Sequence, residues 1–114
     1  MADFNRYIGV NYEYHGRDIQ KGVDCFGLVK AVLENEFGRN FPDWREGDED
    51  LNGFKKIDEP KIGCIALFKF AGVPAHIGIY IGEGRVLHVA PNETSVTERI
   101  DSRRLKDRLQ GWYE

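Results

Sequence analysis

His76-Ile77-Gly78-Ile79-Tyr80-Ile81-Gly82-Glu83-Gly84-Arg85-Val86-Leu87-His88-Val89-Ala90 is the stretch on which the fold turns. Its residues alternate: Ile77, Ile79 and Ile81 lie on one side of an extended strand, and His76, Gly78 and Tyr80 on the other. Leu87 and Val89 form the apolar side of a second strand, with Val86, His88 and Ala90 opposite. If Gly82-Glu83-Gly84 is a three-residue loop, Ile81 pairs with Arg85, and all the odd-numbered apolar residues meet on one core face. The same register brings both histidines to the other face. His88 then stands across from Gly78 and His76 across from Ala90, diagonal neighbours ~7 Å apart between backbones. A two-residue loop would put the imidazoles on opposite faces, so the core pattern and the histidine pattern demand one register.

Outward from this hairpin, the run Cys64 to Phe70 precedes it and a weaker one, Thr94 to Ile100, follows; both are rich in branched and aromatic residues and predict further antiparallel strands. Asp101 to Leu109 predicts a terminal helical turn, with Trp112 and Tyr113 pinning the chain's end to the core. Upstream, Leu28, Val29, Val32, Leu33 and Phe37 follow the three-and-four spacing of one helical face. Asp24 is suited to cap that helix by accepting from its unpaired amides, and Gly38 to end it in a left-handed conformation. Cys25 then sits in the first turn. Residues 1–23, punctuated by Tyr7, Tyr12, Tyr14, Gly9, Gly16 and Gly22, predict irregular structure with at most one short helix. Residues 39–61, with Pro42, Pro60 and the acidic run Glu46 to Asp50, predict a solvated connection. One helix followed by a sheet is an α+β arrangement, and 114 residues suit a single domain, 1–114.

A composition 41% apolar and 12% aromatic supplies a core and excludes disorder. Sixteen basic against nineteen acidic residues, a net charge of −3, argue against a nucleic-acid partner. The apolar runs Ile65 to Phe68 and Ile77 to Ile81 fall far short of the ~20 residues of a membrane-spanning helix, so no membrane insertion is expected. Met1 to Arg6 carries charge where a secretory signal would be apolar, so work outside a cell would need another export route. The two cysteines, Cys25 and Cys64, are too few for a disulfide framework and form no paired metal-ligand spacing.

The chemistry-bearing candidates are Cys25 and the histidine pair. A thiol in the first turn of a helix is stabilised as thiolate by the unpaired amides there, and a nearby imidazolium strengthens the effect. If the helix start approaches the histidine face, Cys25 is a nucleophile, His76 its base and acid, and His88 the group that orients His76. Other readings stay open: Cys25 as core packing, and His76 with His88 as surface residues or, with Cys25, an incomplete zinc site. His15 is expected to face solvent.

Asp24-Cys25-Phe26-Gly27-Leu28-Val29, then His76-Ile77-Gly78-Ile79-Tyr80-Ile81-Gly82 and His88, resemble the NlpC-like family of papain-fold cell-wall peptidases in order and spacing. The resemblance covers nearly the whole chain. Tyr12-Glu13-Tyr14-His15-Gly16 looks like the family's segment before the nucleophile, while Phe41-Pro42-Asp43-Trp44 and Gly111-Trp112-Tyr113 look similar to a branch found in phage tail-tip proteins. It implies a papain-like fold, no cofactor, and cleavage of peptidoglycan stem peptides, commonly between D-γ-glutamate and a diamino acid. It also implies a virion setting among other phage tail proteins. Cys25 is implied as nucleophile, His76 as base and His88 as orienting residue. The Cys25 amide and the Tyr12 hydroxyl are implied as oxyanion donors, each worth ~3 kcal/mol, with Asp24 and Phe26 beside them. Phe26 departs from the serine many members use to bind the amino end of the stem. Gly63-Cys64 replaces the usual glycine-aspartate, which assigns Cys64 to the core. An acyltransferase using the same Cys-His pair and a non-catalytic tail-tip module are the rival readings.

Asp48, Asp50, Asn52, Gly53 and Glu59 also match the spacing of an EF-hand calcium loop. The prolines and glycines around them leave no room for flanking helices, and Lys55 and Lys56 put cations in the loop, so no metal site is expected there.

Overall fold

The computed structural model describes residues 2–43, 51, 53–70 and 76–114. A 3-10 turn at Asn5–Tyr7 is followed by β1 (Arg17–Asp18), β2 (Gly22–Val23) and helix α1 (Cys25–Glu36). Then come β3 (Lys56–Ile57), β4 (Ile65–Phe68), β5 (His76–Gly82), β6 (Arg85–His88), β7 (Val96–Arg99) and β8 (Leu109–Tyr113). β1 and β2 pair with each other; the other six form an antiparallel sheet in the order β3-β8-β4-β5-β6-β7. One helix packed on an antiparallel sheet is the expected α+β arrangement, papain-like in form.

The sheet buries both faces. Ile65, Ile77, Ile79, Leu87 and Val89 pack with Leu28, Val29, Val32 and Leu33 of α1 in a first apolar cluster. The alternate residues of the same strands, Ala66, Phe68 and Val86, join Cys64, Leu105 and Trp112 in a second. The helix starts where the sequence predicts: Asp24 caps it by accepting from the Gly27 amide at 2.8 Å, and Gly38 follows it at φ +61°. A Cβ on Gly27 would collide with the Gly16 carbonyl, so this glycine lets the preceding loop lie against the helix's first turn.

The hairpin keeps the predicted register in its body, Ile79 opposite Leu87 and Tyr80 opposite Val86. Its turn differs. Gly82 pairs with Arg85, and the extra residue is absorbed as an irregularity between Tyr80 and Gly82, leaving the two-residue turn Glu83-Gly84. Both turn residues have positive φ, +54° and +72°, as the tight primed turns require. A two-residue turn thus keeps the histidines on one face because the irregularity restores the count.

Two further expectations are corrected. Residues 101–108 form turns without a helix, folding Leu105 onto the second cluster, and the tail that follows is the strand β8, inserted between β3 and β4. Residues 39–61 are not wholly solvated: Phe41 and Leu51 are buried in the first cluster and Lys56–Ile57 forms an edge strand. The acidic run Glu46 to Asp50 and, with it, the first three ligands of the calcium spacing, Asp48, Asp50 and Asn52, lie outside the described residues. No helix among the described residues is long and apolar enough to cross a membrane.

Candidate active site

α1 lies along β5, and the direction of packing fixes which ends meet. Phe37, just past the helix, covers Gly63, whose amide donates to the Tyr80 carbonyl near the hairpin end of β5. Twelve helical residues rise about 18 Å and seven strand residues about 23 Å, so the helix runs most of the length of β5. The start of the helix therefore lies level with the start of β5, and Cys25 and His76 are the first residues of the two elements. Cys25 is 3% exposed and belongs to the first cluster.

The histidine rings lie on the opposite face of the sheet, beside Phe68 and Phe70, with His76 at 5.6 Å from Phe70 and His88 at 6.5 Å from Phe68 between centroids. The body of α1 packs over the isoleucine face, the core face of the hairpin, so the start of the helix comes to the histidine pair at the end of β5 that begins with His76. The two rings join. His76 Nε2 is 2.9 Å from His88 Nδ1, so these nitrogens are spent on each other rather than on a shared metal. Among the described residues no three metal-ligating side chains cluster. Gly78 makes the pairing possible, because a Cβ there would lie 2.9 Å from the Leu87 carbonyl oxygen and 3.1 Å from His88 Cβ.

His88 reaches further than the sequence reading foresaw. Its Nε2 lies 2.8 Å from Glu98 Oε1. Glu98 also accepts from Ser102 Oγ at 2.6 Å and from Arg104 Nε at 2.9 Å, while Arg104 Nη1 donates to Glu93 at 3.0 Å. β7 pairs with β6 so that His88 opposes Val96, which places Glu98 diagonally from His88 on the same face. A carboxylate alternating with Val96 and Ile100 in a predicted strand was the signal that would have found it.

Burial dominates the charge states. It pushes His76 down to about 3, with His88 and Arg104 adding repulsion, and it lowers His88 against the opposing pull of Glu98. Both rings are neutral near pH 7. Burial works to raise Glu98, but the hydrogen bonds from Ser102, His88 and Arg104 outweigh it and hold the carboxyl below its usual range.

The remaining candidates divide. Asp24 is fully buried, and its oxygens accept from the Gly27 amide, Arg17 Nη1 and the His15 amide, so it holds the helix start from behind. Phe26 is 1% exposed and its ring belongs to the first cluster, not to an open surface. Tyr12 bridges to Val23, two residues before Cys25, and its amide donates to the Glu93 carbonyl, tying the helix start to the segment after the histidines. Cys64 is buried in the second cluster, as the sequence predicts, and burial pushes its thiol up. His15 is half-buried at φ +61°, stacked on Tyr14. Beside the rings, a cavity of about 360 Å³ is lined by Phe70, His76, His88, Pro91, Glu93 and Arg104.

A papain-like α+β frame with a helix-start cysteine level with a histidine pair is the class that fold and site define. The NlpC/P60 family pattern matches residues 9–113, and the chain belongs to that family. It is similar to the murein DD-endopeptidase MepS/murein LD-carboxypeptidase of Escherichia coli K12, 27% identical over 90 residues, 79% of this chain and 47% of that protein. It is also similar to the γ-DL-glutamyl hydrolase of Bacillus subtilis 168, 27% identical over 115 residues, 97% of this chain and 27% of that one. The chain spans less than half the length of either. The crystal structure of the NlpC/p60 domain of the peptidoglycan hydrolase SagA matches it with a TM-score of 0.72 at 22% identity, over 96% of this chain and 91% of that one.

Proposed function

We propose that this chain is a thiol peptidase acting on peptidoglycan stem peptides through an acyl-enzyme on Cys25, its residues 1–114 forming one catalytic domain. The observation that carries the reading is the pairing of His76 with His88 at the strand end level with the start of α1, in a chain of this family. Relatives named for murein endopeptidase and γ-DL-glutamyl hydrolase activity support the substrate class.

In this reading the Cys25 sulfur attacks the scissile carbonyl while the thiol proton passes to His76. The tetrahedral oxyanion is met by the Cys25 amide and the Tyr12 hydroxyl. Collapse expels the amine, which takes the proton from His76, and leaves a thioester. Water, deprotonated by His76, then attacks the thioester, and Cys25 leaves with that proton restored. His88 orients His76 throughout. Asp24 serves by fixing the helix start, and Phe26 by filling the core beneath it; the cavity beside the rings is open to receive part of the stem. The bond we assign is D-γ-glutamyl to diamino acid, and the setting a phage tail, the latter drawn from the flanking resemblance and tested by whether purified virions carry the chain.

Purified cell wall digested with wild type and with folded Cys25→Ala, followed by mass spectrometry of the released stem peptides, tests the reading. New cleavage ends from wild type alone are expected. Identical profiles would defeat it, and an added amine appearing in the products would turn it into a transferase.

A further inference from the structure

We propose that Glu98 is a positioning residue of the histidine relay: clamped by Ser102 and Arg104, its carboxylate sets the tautomers of both rings so that the bare nitrogen of His76 is Nδ1. The inference rests on the reading of His76 as the proton acceptor, and goes beyond it by saying what decides which nitrogen accepts.

An ionised carboxylate only accepts, so His88 Nε2, 2.8 Å from Glu98 Oε1, must carry a proton and donate it. Burial keeps His88 neutral, and a neutral ring protonated at Nε2 has its lone pair at Nδ1. That lone pair faces His76 Nε2 at 2.9 Å, so His76 Nε2 carries the proton of its own ring. His76 is neutral as well, which leaves Nδ1 bare. Without the carboxylate the opposite order is equally satisfied: His88 Nδ1–H donates to His76 Nε2, and His76 Nδ1 becomes a donor that cannot take a thiol proton.

The clamp keeps the carboxylate ionised and fixed. Ser102 Oγ donates to Oε2 and Arg104 Nε to Oε1, so with His88 every lone-pair direction the relay needs is assigned. Arg104 is shared with Glu93, and the Glu93 carbonyl accepts from the Tyr12 amide at 3.0 Å. Among the described residues, the charged groups facing the relay are therefore Glu98, Glu93 and Arg104. Glu98 touches neither a substrate nor the thiol in this scheme; it acts through His88.

Nitrogen-15 NMR of the histidine side chains in the intact wild-type chain at neutral pH reads the tautomers without substrate. Protonated Nε2 and bare Nδ1 are expected on both rings; a proton on His76 Nδ1 overturns the proposal. In Glu98→Gln a second population with His76 Nδ1 protonated is expected, with kcat lowered at least about tenfold and KM little changed. Wild-type tautomers and wild-type kcat together in that variant would also overturn it. The predicted tautomers in a chain that cleaves nothing would leave the Glu98 assignment standing and remove the peptidase reading, so the two fail separately.

Discussion

The surroundings of Cys25 and Cys64 differ far more than their exposure does. The two thiols are 3% and 2% exposed, and neither is in a disulfide. Cys25 opens α1 behind the Asp24 cap, where helix amides converge; Cys64 precedes β4 among Ala66, Phe68, Val86 and Trp112, where burial pushes its thiol up. Burial alone cannot tell a nucleophile from packing. Oriented dipoles and a relay at the same end of the sheet can.

Variants break or sharpen that contrast. Cys25→Ala is expected to lower kcat/KM by at least about a thousandfold, while Cys64→Ala leaves turnover near wild type and costs about 1–2 kcal/mol of stability from the small cavity it opens. Assays on cell wall and denaturant titrations separate the two; equal losses of activity would erase the distinction. Gly78→Ala forces a methyl against the Leu87 carbonyl and His88 Cβ, so we expect a loss of about 1–3 kcal/mol and a displaced relay with reduced kcat. Full activity there would mean that the His76–His88 bond is not needed.

A further effect, on stability and not on turnover, is expected in acid. Below the ordinary histidine value of 6.5 the unfolded chain takes a proton that buried His76 refuses until about pH 3. Stability conferred by the neutral buried ring is therefore complete above pH 6.5 and lost progressively as pH falls toward 3, by up to about 1.4 kcal/mol per pH unit. Between pH 6.5 and 5, above the carboxylate range, His76→Gln should flatten this slope; an unchanged slope would contradict the burial account.

The helix and the hairpin were legible because each is written by one local period. Asp24 to Gly38 carries its own cap, face and stop, and the Ile77, Ile79, Leu87 and Val89 pattern fixes the hairpin register whatever its turn. β8 was not legible. Leu109-Gln110-Gly111-Trp112-Tyr113 has no clean alternation, and its place between β3 and β4 follows from pairing with distant residues, Lys56–Ile57 and Ile65–Phe68. The same holds for the site. The sequence paired His76 with His88 through the hairpin, but Glu98 joins them through the β6–β7 register and a turn carrying Ser102 and Arg104. Which face the body of α1 covers follows from area: the stripe of isoleucines offers the larger apolar surface, and α1 buries that.

The central claim, that the start of α1 makes Cys25 reactive while equal burial leaves Cys64 inert, is tested most directly by alkylation. Iodoacetamide labelling of the folded chain across pH, with each cysteine read by peptide mapping, gives both rates in one sample. We predict that Cys25 reacts at least about tenfold faster at neutral pH, with a midpoint below the ~8.5 of a free thiol. Equal, slow rates with no acid-shifted midpoint at Cys25 would contradict the account.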